Sequence, residues 1–197
     1  MTTSATLRTL SGIVDSPAAL ATSTVVLIDF QNTYTRGEME LEGWDAALDA
    51  AADLLAKARR AGATVIHVQH DGGVGSAYDI RDDIGAIHER VAPNDDEAVV
   101  VKTAPNSFVG TELGDLIDAT GHEDVVIAGF MTHMCVNYTT EGAFLRGNRP
   151  TVVAAATATR SLPSVVGDVS AAQLHSAALA GIADLYATVV PTAADLS

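Results

Sequence analysis

The chain has 197 residues, of which 48% are hydrophobic and only 5% aromatic. That length suits one domain, 1–197, whose core needs no disulfide or metal, and the apolar content excludes general disorder. A formal net charge of −14, with no cluster of Lys or Arg, argues against nucleic acid and anionic membranes as partners, because such a surface repels phosphate.

A single cysteine cannot close an internal disulfide. No stretch approaches the roughly 18 consecutive apolar residues that would span a bilayer, and MTTSATLRTL has no apolar core behind a basic start. A soluble cytoplasmic protein is the expectation.

Residues 1–23 are rich in Ser and Thr and read as an arm that packs on the body or on a neighbour. Residues 24–28 (TVVLI) are the first strand, and Asp29 stands at its carboxyl end. A charge there is costly unless it lines a site, and strand carboxyl ends are where open α/β sheets bind ligands; Asp29 either does that or caps a turn. After a loop at 35–43, Trp44, Ala47, Leu48, Ala51, Leu54, Leu55 and Ala58 recur at helical spacing, which predicts a helix over 44–61 stopped by Gly62. Lys57, Arg59 and Arg60 read as its solvated last turn.

Residues 64–69 are the second strand. His67 and His70 are three apart and point to opposite faces, so they make no metal pair. DGGVGS at 71–76 is followed by no helix pattern, so it is a loop and not a dinucleotide fingerprint. The connection at 77–96, with Tyr78 and His88, is long enough to carry function or contacts. Residues 98–101 form the third strand, with Lys102 at its end. Two opposite charges at two strand ends favour a site more than either does alone.

A loop at 103–109 and a helix at 111–120 lead to VVIA (125–128), a fourth strand broken by Gly129. Thr132 reads as the N-cap of a helix running to about Arg146. Cys135 falls in its first turn, where free N–H groups and the macrodipole favour a thiolate and can receive an oxyanion. The alternative is a small buried apolar residue. A strand at 151–155, a loop at 157–166, a helix at 169–181 and a strand at 183–189 complete the chain. Strands alternating with helices predict an α/β fold, with helices on both faces of a mostly parallel, six-stranded sheet.

Three segments now stand at strand ends: IDFQNTY (28–34), VVKTAPNSF (100–108) and GFMTHMCVNYTTEGA (129–143). Together, in order and over about 22–190, they resemble the isochorismatase-like cysteine hydrolase superfamily. That group includes nicotinamidases, streptothricin hydrolases and several amidohydrolases. The resemblance implies a doubly wound, three-layer α-β-α fold and a catalytic triad of Asp29, Lys102 and Cys135. It also implies a cis peptide at Phe130–Met131, which turns the Met131 N–H toward that of Cys135 to form an oxyanion hole. The expected reaction is hydrolysis of an amide, carbamoyl or lactam C–N bond through a thioester, with a small molecule as partner. Gln31, Tyr34, His70, Phe108 and His133 are candidates for substrate contact, or else packing.

The sequence departs from the nicotinamidase branch, since no Asp-x-His follows Asp29, so neither a metal nor another cofactor is expected. Cys135 stands where isochorismatase proper lacks a cysteine, which disfavours vinyl ether hydrolysis. That chemistry and a non-catalytic assembly or ligand-binding role are the alternatives. Relatives usually form dimers or larger assemblies, and a homodimer or higher homo-oligomer is the expectation here.

Overall fold

A computed structural model describes residues 4–197, so the first three residues of the expected arm lie outside the described residues. In chain order the elements are α1 (Leu7–Leu10), β1 (Ser23–Ile28), α2 (Trp44–Ala61), β2 (Thr64–His70), β3 (Ala98–Lys102), α3 (Leu113–Thr120), β4 (Asp124–Phe130), α4 (Asn137–Leu145), β5 (Arg149–Ala158), α5 (Ala171–Leu185) and β6 (Thr188–Val190).

The β-branched apolar runs become strands buried on both faces. Side-chain alternation sends Val25, Leu27, Val126 and Ala128 into a core shared with α2. Val26, Ile28, Val125 and Ile127 enter a second core with α3, α4 and α5. Three layers follow: one long helix, the sheet, and three helices.

The sheet order is β3-β2-β1-β4-β5-β6, and every pairing is parallel. The chain winds outward from β1 through β2 to β3, then returns to the other side of β1 with β4. A doubly wound sheet opens a crevice at the carboxyl ends where that reversal occurs, here between β1 and β4. Gly129 sits on that seam at φ 150°, and a Cβ there would lie 2.2 Å from the Ile28 carbonyl oxygen. Glycine lets the two backbones meet.

Several boundaries differ from the sequence expectation. Gly129 does not break β4, which runs on to Phe130, because strand pairing tolerates a glycine where backbones crowd. β5 extends from Arg149 to Ala158, past the expected 155, with a register shift opposite Ile127 and Gly129. α5 reaches Leu185, through the residues expected to open the last strand, and β6 is only Thr188–Val190. The start of α5 is fixed by a capping box between Ser170 and Gln173. The last turn of α2 is also less solvated than expected. Lys57 donates to the Ala193 and Leu196 carbonyls, and Arg59 pairs with Glu97.

Within the arm, the Leu7 N–H donates to Asp184 on α5 (2.9 Å), and Arg8 reaches the Leu185 carbonyl and the Thr188 hydroxyl. The described arm therefore packs on the body. No helix of the described residues is long and apolar enough to cross a membrane.

Candidate active site

Asp29 follows β1 directly, and its backbone is in the left-handed region at φ 53°. Asp29 donates its N–H to the Val68 carbonyl (2.9 Å) and accepts from the Gln31 N–H (2.8 Å). This tight turn aims the carboxylate along the strand ends. Lys102 ends β3, in register with His70 of β2. Its stem is buried, and its ammonium lies 2.7 Å from Asp29 Oδ2, 3.4 Å from Cys135 Sγ and 3.2 Å from His70 Nδ1. Three residues far apart in sequence thus meet at the crevice. Asp29 is 0%, Lys102 1% and Cys135 5% exposed.

The Asp29–Lys102 contact is close but off the hydrogen-bond axis. Neither carboxylate oxygen receives a well-aligned donor among the described residues, although Lys102 and the Cys135 thiol both lie within bonding reach. Burial pushes the Asp29 carboxyl above its ordinary range, and the Lys102 charge only partly opposes it. Burial, reinforced by the Asp29 charge, pushes the Cys135 thiol up to about 12.

The thiolate expected from helix position is therefore replaced by a resting thiol. A helix end supplies about half a unit of positive charge, too little against desolvation and a neighbouring carboxylate. The mount also differs. Cys135 lies in a single π turn, Thr132–Val136, which leads into α4. Thr132 is not its N-cap; the Thr132 hydroxyl bonds His175 Nδ1 at 2.9 Å instead.

The Phe130–Met131 peptide is cis. The Met131 N–H donates to no protein acceptor among the described residues.

The substrate-contact candidates scatter. His70 stands beside Lys102 with its pKa lowered by burial and by that charge, so it presents a neutral ring. Tyr34 is buried against Phe130 and Tyr78, ring centroids 5.6 and 5.8 Å away. Gln31 is committed to backbone: its amide donates to the His70 and Gly85 carbonyls and accepts from the His70 N–H. Phe108 lies along α4, against Gly142 and under the Arg146 guanidinium (5.3 Å), and packs on the core cluster that includes Cys135. His133 Nδ1 bonds Thr159 Oγ1 at 2.6 Å, which ties the Cys135 turn to the end of β5.

Two neighbours of the cluster are not among the expected site residues; Tyr78 figures there only as part of the 77–96 connection. Tyr78, on the long connection, meets the His70 ring edge-on at 5.0 Å. Arg160 follows β5, repeating the charge-after-strand pattern of Asp29 and Lys102; ending β5 at 155 hid it. The cavities outlined elsewhere include none of Asp29, Lys102 and Cys135 in their walls. One of about 580 Å3 lies between α2, β5 and α5, lined by Glu42, Ala47, Thr157, Thr159 and His175. Among the described residues, no group of His, Cys, Asp and Glu is arranged to hold a metal.

Residues 23–194 match the isochorismatase domain family model. The chain belongs to the isochorismatase family of hydrolases. The whole architecture agrees. An isochorismatase crystal structure from Pseudomonas putida superposes at a TM-score of 0.95 and 36% identity, covering 99% of this chain and 100% of that one. A secreted isochorismatase effector of Verticillium dahliae is 33% identical over 93% of this chain and 95% of its own. Maleamate amidohydrolase of Pseudomonas putida is 34% identical over 66% of this chain and 68% of its own.

Proposed function

We propose that this family member hydrolyses the C–N bond of a small amide, carbamoyl or lactam compound through a thioester on Cys135. One observation carries the reading: a buried ammonium lies 2.7 Å from a carboxylate and 3.4 Å from the only sulfhydryl of the chain. The amidohydrolase named among its relatives supports the same bond class.

The thiol pKa of about 12 dictates how the step begins. Proton transfer from sulfur to Asp29 accompanies attack of sulfur on the carbonyl carbon, because a free thiolate would be too scarce near neutral pH. The unsaturated oxygens and raised proton affinity of Asp29 suit it as that base. Lys102 holds both partners and steadies the negative charge as it moves between them. The Met131 and Cys135 N–H groups receive the oxyanion, at roughly 3 kcal/mol per donor in such sites.

The tetrahedral species expels the amine as Asp29 returns its proton to nitrogen. Water then attacks the thioester carbon and gives its proton to Asp29. The carbon–sulfur bond breaks, an acid leaves, and sulfur recovers its proton. No metal enters this scheme, in keeping with the missing Asp-x-His.

Ammonia release from a panel of small amides tests the reading. Cys135→Ala should lower turnover by roughly 10⁴-fold or more, with an unchanged melting curve. Turnover that survives this substitution, or survives thiol alkylation, would point instead to ether hydrolysis or another chemistry without a covalent step.

A further inference from the structure

The strand order makes Lys102 cross a third strand to reach its partner. β2 lies between β3 and β1, so an ammonium rooted at the end of β3 passes the end of β2 before it meets Asp29. His70 stands at that crossing, in register with Lys102. Its Nδ1 is 3.2 Å from the ammonium with hydrogen-bond geometry, whereas the closer Asp29 contact, at 2.7 Å, is off axis. The other aligned acceptor is the Cys135 sulfur at 3.4 Å, a weak one. The direction of the Lys102 N–H bonds is thus set by an imidazole and a thiol rather than by the carboxylate.

The imidazole is itself held in place. The β1–β2 register ends at Ile28 and Val68, because the left-handed turn at Asp29 carries the chain away. Beyond it the buried Gln31 amide accepts from the His70 N–H and donates to the His70 carbonyl, 2.9 Å each, as a neighbouring strand would. Tyr78 meets the ring edge-on at 5.0 Å. Burial and the Lys102 charge lower the His70 pKa, against the opposing charges of Asp29 and Asp71. The ring is therefore neutral, and Nδ1 keeps its lone pair for the ammonium.

We propose that His70 is a positioning residue of the hydrolase: by accepting a Lys102 N–H at Nδ1 it keeps the ammonium turned off the Asp29 axis, so that the carboxylate stays free to take the thiol proton. This rests on the hydrolase reading above. Without His70, Lys102 would turn an aligned, charge-assisted hydrogen bond onto Asp29, and such bonds favour the ionised carboxylate. Asp29 would then become a saturated ion pair and a weaker base. A neutral acceptor also suits the task better than an acid, because a second carboxylate would neutralise the ammonium itself.

Carboxyl 13C NMR follows the Asp29 titration, and ammonia release follows turnover. Asp29 faces Lys102, Cys135, His70 and Tyr34, and the variants alter His70 alone. His70→Phe keeps a ring against Tyr78 and removes the acceptor. It should lower the Asp29 midpoint by about one pH unit or more and kcat about 10- to 100-fold, with KM little changed. His70→Asn, whose amide oxygen can stand near the Nδ1 position, should restore the midpoint and most of kcat. In the unaltered protein at neutral pH, 15N NMR should find the His70 proton on Nε2 and none on Nδ1. That measurement needs no variant, so it decides even if a replacement fails to fold, which melting curves would show. A proton on Nδ1, a midpoint unmoved in His70→Phe, or no recovery in His70→Asn overturns the proposal. So does a change confined to KM, which would make His70 a substrate contact instead. A midpoint that falls with Phe and returns with Asn, with no ammonia released by any of the proteins, supports the positioning and overturns the hydrolase reading alone.

Discussion

Two clusters near opposite ends of β3 each combine a carboxylate, a cation and a histidine, and they are finished differently. At the amino end, Glu97 accepts from Arg59 Nε and Nη2 (2.7 Å each), from the Asn94 N–H (3.0 Å) and pairs with His67 (2.9 Å). Burial alone would raise its pKa, yet these partners hold it at about 2. At the carboxyl end, Asp29 has one close cation set off-axis and no well-aligned donor. Burial prevails there, and its pKa is raised. A saturated carboxylate has given up its proton affinity in exchange for folding stability. An unsaturated one keeps that affinity available, which a general base requires.

Asp29→Asn breaks the contrast most severely. Turnover should fall about 10²- to 10⁴-fold, the span that a general base contributes. Alkylation of Cys135 should meanwhile accelerate at neutral pH, because the charge that helps to hold its pKa near 12 is gone. Iodoacetamide kinetics alongside ammonia release would show the two effects moving in opposite directions. Slower alkylation in the variant would mean that Asp29 activates the thiol in the resting enzyme rather than suppressing it.

The counterpart at the other end is Glu97→Gln. It should lower stability by about 2–3 kcal/mol, roughly 4–12 °C in Tm, and leave turnover intact. The sign with pH follows from the depressed pKa. Stability from this group is fully present above about 4.5, its ordinary value, and is lost as pH falls toward about 2. Unaltered and Glu97→Gln proteins should therefore differ most in Tm near neutral pH and converge in acid. A gap that stays constant to pH 2 would show that the ionised form is not what stabilises.

His175→Ala is the mildest perturbation, removing one hydrogen bond to Thr132 at the start of the cysteine turn. About 1 kcal/mol is expected, or 2–4 °C in Tm, with kcat nearly unchanged. A large loss of kcat without a matching loss of Tm would make His175 a positioning residue for Met131 and Cys135.

The sheet was legible wherever its strands were dense in Val, Ile and Leu, as in 24–28 and 125–128, since burial on both faces demands such residues. It was less legible in AAATA at 154–158, because alanine carries no strand preference and the register shift there follows from contacts with β4. The alanine-rich end of α5 failed in the reverse sense, with Ala183 to Leu185 expected as strand. At the site, the positions of Asp29, Lys102 and Cys135 could be anticipated, because charges at buried strand ends are rare and the surrounding motifs are specific. The protonation of the sulfur could not, because it depends on how deeply the turn is buried and how near Asp29 comes. Gln31 likewise sits in the motif, but only three dimensions reveal that its amide is fully engaged by backbone.

The backbone of Asp29 has one more consequence. Among the described residues it alone combines a side chain with a left-handed φ, a conformation that asparagine, aspartate and glycine accept most readily. Shape therefore filters which replacements can be informative there. Asparagine deletes the carboxylate while preserving the bend, whereas alanine or glutamate would disturb chain path and chemistry together. The same filter would act on natural drift: a descendant that abandoned catalysis yet retained this architecture would be expected to carry asparagine or glycine at that corner.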